Sequence, residues 1–167
     1  MPNIIGSLPT HPLLVHIPVA FVPLAALGVV VLAVRPSWLR TFGPLVAGFA
    51  AVGFVGAVLA TSTGETLEDD LRSTGMALSD RLHDHTEMGD RVQVVAGIFL
   101  VLTLAWVLFA AWRRRVGDER ATAKVRKPRL VALVLSVLVV ASGAVATASV
   151  VAAGHSGASS VWEQSAP

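Results

Sequence analysis

The chain has 167 residues, of which 54% are hydrophobic and only 14% charged, with a mean hydropathy of +0.70 and a net charge of +2. A soluble domain carries about 25% charged residues, and here the apolar residues are gathered into long runs, so a water-soluble globule is excluded in favour of a membrane chain. The absence of cysteine excludes structural disulfides, thiolate-held Fe–S clusters and c-type haem attachment.

Four apolar stretches are long enough to cross a bilayer, at about 13–34, 41–63, 92–112 and 130–153, since a span takes roughly 20 helical residues. They predict an all-α fold: one polytopic membrane domain over residues 1–167, built as an antiparallel four-transmembrane-helix bundle. No secretory signal is read, because the first eleven residues hold no Lys or Arg and the apolar run that follows is too long for an h-region.

The connections set the orientation. Ten of the 13 basic residues lie in 35–40 and 113–129, whereas the other face carries Arg72, Arg81 and Arg91 against nine acidic residues. The positive-inside rule makes loops 35–40 and 113–129 cytoplasmic and both termini extracytoplasmic. This distribution assigns the high pI to topology and anionic lipid rather than to nucleic acid. Trp38, Trp112 and Trp162 fall at the expected interfaces, as amphipathic rings do.

Within the spans, Gly56, Ala60 and Gly64 recur every fourth residue, as do Ala144, Ala148 and Ala152. Such stripes let helix backbones approach in lipid. No Asp, Glu, Lys or Arg lies inside any span, and the midplane polar residues Thr103, Ser136 and Ser142 can bond back to their own helices. Proton relays and ion-coupled transporters need intramembrane ionisable groups. Chemistry is therefore expected at one end of the bundle.

All five histidines belong to one end. His11 and His16 open the first span, His83 and His85 precede the third, and His155 follows the fourth. Neutral imidazole ligates transition metals and haem iron alike. His16, about one turn inside its span, is the leading candidate to point inward and find a partner, because an unpartnered histidine at that depth is costly. His85 stands above Gly89, Val92 and Ala96, and His155 is flanked by Gly154 and Gly157. His11 reads equally as a ligand or as a solvated residue at the helix start, and His83 as a loop residue. Asp84, Glu87 and Asp90 could orient an imidazole, and the acidic run 65–70 reads as a solvated loop. Pro18 and Pro23 predict a kink below His16.

The opening "HPLLVHIPVAF" resembles that of the bacterial membrane domain of unknown function numbered 2231, with Ile17 where Phe is usual. "HDHTEMGD" and "GHSGASSVW" are similar to the family's third-span start and fourth-span ending, the latter with Ala158, Ser159 and Trp162 as departures. The resemblance implies a four-span protein grouped with haem-b-binding four-helix cytochromes, some relatives being fused to Rieske or cytochrome c domains. The leading expectation is one haem b near the extracytoplasmic face, ligated by His16 and either His85 or His155, for electron transfer with a periplasmic or quinone-type partner. The second is a Zn, Cu or Ni site drawn from His11, His16, His85 and His155. The third is a cofactor-free assembly subunit in a homo- or hetero-oligomer. An electron-transfer or binding role is favoured over a hydrolase, since no nucleophile motif of the G-x-S-x-G type is present.

Overall fold

The computed structural model describes residues 4–5, 8–73 and 80–163, with side chains over 11–69, 72–73, 86–117 and 119–157. A two-residue antiparallel pair, β1 (Ile4–Ile5) with β2 (Leu8–Pro9), leads into α1 (Thr10–Leu14) and α2 (His16–Val34). A 3₁₀ turn (Pro36–Trp38) joins α2 to α3 (Leu39–Ser73); α4 (Asp80–Val116), the short α5 (Asp118–Lys124) and α6 (Pro128–Glu163) complete the chain. α2 packs on α3, α3 on α4, α4 on α6, and α6 closes back on α2. The result is an antiparallel four-helix bundle, with the starts of α2 and α4 and the end of α6 at one end.

Hydrophobic pattern and packing agree on what faces where. Val22, Ala25, Val29, Phe99, Val139 and Ala146 fill the axis of the bundle, all at 2% exposure or less. The outer faces present Leu27, Val101, Leu108 and Val151, each more than 60% exposed. Large side chains exposed on every side of a four-helix unit need a bilayer as solvent. Four segments are long and apolar enough to cross one: His11–Val34, Pro36–Asp69, Thr86–Val116 and Pro128–Gly157.

Three hydroxyls within the spans are satisfied by their own helices. The hydroxyls of Thr103, Ser136 and Ser142 donate to the carbonyls of Phe99, Leu133 and Val139 at 2.7, 2.8 and 3.0 Å. Trp38 lies 5.8 Å from Phe42 with the Arg35 guanidinium 5.7 Å from its ring, and Trp112 lies 5.6 Å from Phe109, so an aromatic band marks the basic end.

The Gly56 stripe seats α2 against α3. A Cβ on Gly53 would lie 2.8 Å from Val22 Cγ2, and one on Gly56 would lie 2.7 Å from Ile17 Cβ and 3.0 Å from Pro18 Cδ. The helix start breaks where proline requires it. Pro18 has no N–H for the Leu14 carbonyl, and α1 ends at Leu14.

The acidic connection differs from the expected loop. Residues 65–70 are the continuation of α3, which at 35 residues is about 52 Å long, well beyond the roughly 30 Å hydrocarbon core. Hydropathy marks where the lipid ends, not where the helix ends. Glu68, only 7% exposed, accepts hydrogen bonds from Thr86 Oγ1 of α4 at 2.8 Å and from Arg72. This tie holds the projecting ends of α3 and α4 together. Thr86→Val leaves a buried carboxylate short of a donor, at a cost of about 1–3 kcal/mol. Hydrogen exchange over residues 62–72 should speed up by roughly fivefold or more, with exchange at Phe99 unchanged; equal rates in the two proteins would remove the tie as a stabilising element.

Candidate functional site

His11 and His16 are five residues apart, about 140° around a helix, so only one can face inward. The one that does is His11. Its Nδ1–H donates to the Ala60 carbonyl at 2.9 Å, with Thr63 Oγ1 at 3.4 Å, and its ring lies over Gly64, where a Cβ would approach within 3.1 Å. The stripe of Gly56, Ala60 and Gly64 thus receives Ile17 and Pro18 at one point and an imidazole at another.

His16, expected to point inward, is exposed on the outer side of α2. It relieves its desolvation within its own chain segment: Nδ1–H donates to the Pro12 carbonyl at 2.7 Å. A carbonyl only accepts, so Nδ1 carries the proton of this bond, which leaves Nε2 as the nitrogen available to a ligand.

A groove of about 800 Å³ runs between α2 and α6, walled by Pro23, Leu27 and Val30 on one helix and by Ala144, Ala148 and Ala152 on the other, with His155 at its end. The second small-residue stripe therefore faces open space rather than a neighbouring backbone. Thr147 also lines the groove; its Oγ1 is buried and accepts or donates no hydrogen bond among the described residues. Thr147 carries no sequence signal beyond its place beside the alanine stripe.

Helical register relates His16 to this groove. It stands seven residues before Pro23 and eleven before Leu27, close to whole numbers of turns, and so shares their stripe. Ala26 and Gly143 mark a crossing of the two helices, because a Cβ on Gly143 would lie 3.2 Å from Ala26 Cβ. From that level His16 is ten residues back along α2 and His155 twelve residues on along α6, about 15 and 18 Å in the same direction. The two exposed imidazoles therefore stand at nearly the same depth beside one groove.

His83 and His85 fall in the first turns of α4, and their side chains lie outside the described residues, as does that of Asp84. Glu87 pairs with Arg91 at 3.4 Å. Among the described residues, no three His, Asp or Glu side chains come together as a metal cluster.

Four apolar helices, packed in a ring and exposing large hydrophobic side chains outward, define a four-span integral membrane protein. The chain belongs to the family described as predicted membrane protein (DUF2231), whose model matches residues 7–166. No curated protein and no solved structure matches it.

Proposed function

We propose that this chain is a membrane electron-transfer protein in which His16 and His155 would hold one haem b at the α2–α6 groove. The observation that carries the reading is the placement of His16: its Nδ1–H is held by the Pro12 carbonyl, so Nε2 is the ligating nitrogen, at the depth of His155 and on the stripe that borders the groove. A hydrogen bond from Nδ1–H to a carbonyl is what orients an imidazole for iron or zinc.

The groove suits the group. Its volume of about 800 Å³ lies within the roughly 300–1,000 Å³ of cofactor sites. Ala144, Ala148 and Ala152 make one wall low, which suits a flat macrocycle, and the lining is apolar apart from Thr147 and His155. Haem supplies one-electron exchange when bound. The Pro12 carbonyl orients the His16 imidazole, and the apolar walls of the groove would cover the macrocycle.

The orientation belongs to the same reading. The basic end is cytoplasmic and the histidine end extracytoplasmic, in a bacterial cytoplasmic membrane. A single site at one end cannot carry electrons across the roughly 30 Å core, so the partner is a carrier on the histidine side, either periplasmic or a quinone. The chain has no native cysteine, which makes orientation directly testable. In intact cells, an impermeant maleimide should label Thr66→Cys and spare Ser37→Cys; the reverse pattern overturns the orientation.

The test of the cofactor is the reduced-minus-oxidised spectrum of the full chain purified after haem supplementation. A cytochrome b-type α band at close to one haem per chain is expected. Absence of the band overturns the proposal, and stoichiometric Zn, Cu or Ni in its place would assign the histidines to a metal ion.

A further inference from the structure

The histidine end does not exhaust the molecule. At the opposite end, a hollow of about 420 Å³ opens between α5 and the start of α6, lined by Thr122, Lys127, Pro128, Arg129 and Leu130. Its walls follow from the local chain path. Gly117, at a φ of 78°, turns the chain out of α4, and Lys127, at a φ of 60°, turns it into α6. The Lys127 carbonyl then accepts the N–H groups of Leu130 and Val131 at 3.0 and 3.2 Å, which caps the helix.

The charge around the hollow is one-sided. Residues 113–129 carry eight Lys/Arg against Asp118 and Glu119, and Arg35 and Arg40 lie at the same end. Among the described residues, neither Lys127 nor Arg129 makes an ion pair. The hollow is also placed at a boundary: Pro128 begins an apolar span, and Leu130, half-exposed, continues the lining into it. Two unneutralised cations at the mouth and an apolar side chain below match a ligand with a phosphate at its head and hydrocarbon beneath. A freely diffusing phosphate would use the cations but not Leu130.

We infer that the hollow between α5 and α6 is a binding site for the headgroup of an anionic glycerophospholipid, with Lys127 and Arg129 holding its phosphate. Basic pockets at the ends of transmembrane helices recognise lipid in this way, each Lys or Arg contributing roughly fivefold in affinity.

Native mass spectrometry of the full chain in detergent, titrated with phosphatidylglycerol or phosphatidylcholine, tests the site. Wild type should retain phosphatidylglycerol in preference. The double variant Lys127→Gln/Arg129→Gln should lose about 25-fold in retention, whereas Arg114→Gln/Arg115→Gln, with the same charge removed at the same end, should lose much less. Lys127→Arg/Arg129→Lys, which keeps both charges, should retain the lipid and so separates binding from folding. Equal losses in the two glutamine pairs mean diffuse attraction and overturn the site. Displacement of the lipid by millimolar inorganic phosphate assigns the hollow to free phosphate and overturns the lipid assignment.

Discussion

Gly56→Ala lowers the stability of the bundle by about 1–3 kcal/mol, the usual cost of forcing an extra methyl into a packed interface. The added carbon would meet Ile17 and Pro18, with Ile17 Cβ at 2.7 Å and Pro18 Cδ at 3.0 Å. Neither can swing aside, since one is β-branched at the backbone and the other is a closed ring. The first turns of α2 must therefore move away from α3. Gly53→Ala acts one turn further along the same face, where Val22 Cγ2 would be 2.8 Å away and the Val22 backbone nitrogen 3.2 Å. Gly48→Ala and Gly154→Ala meet nothing within 4 Å and should leave stability within about 0.5 kcal/mol of wild type. Unfolding titrations followed by circular dichroism check the four variants side by side. Equal stability in all four would mean that α2 is not seated on the glycines. A displaced α2 also carries His16 and its wall of the groove with it, so on the proposed assignment Gly56→Ala should lower haem occupancy as well.

The second large effect concerns the ligands. On the proposed assignment, His16→Ala and His155→Ala should each abolish the haem spectrum of the wild type, since each removes one of the two nitrogens that would hold the iron. His83→Ala should keep it. His11→Phe should also keep it while destabilising the fold by about 1 kcal/mol, because the bond to the Ala60 carbonyl is lost and the ring remains over Gly64. Loss of the spectrum in His85→Ala with survival in His155→Ala would replace α6 by α4 as the helix that supplies the second ligand. The pattern across five variants therefore distinguishes which pair of helices holds the cofactor.

Much of the architecture can be read from residue order alone, because in lipid the backbone must satisfy itself. That constraint turns four apolar runs into four helices and makes Thr103, Ser136 and Ser142 bond to carbonyls three or four residues back in their own helices. The gathering of histidines at one end and of basic residues at the other follows from alternation of direction. The Gly56, Ala60 and Gly64 stripe announced a close approach, and it meets Ile17, Pro18 and His11. The Ala144, Ala148 and Ala152 stripe carried the same signal yet lines an open groove, because small residues permit contact without requiring it.

What the sequence by itself determined is the class of protein, the number of spans and the end at which its histidines stand. Hydropathy and charge act along the chain, so their pattern survives without any knowledge of neighbours. Only the tertiary structure decided that His11 turns inward onto α3 while His16 turns out beside the α6 groove, that Glu68 is buried against Thr86, and that α3 and α4 continue past the lipid. Each of these depends on the rotation of one helix about its axis or on what a second helix places opposite. Val15, between the two helices, keeps helical backbone angles, so His11 and His16 stay about 140° apart, and no local pattern of apolar residues records which of them faces α3.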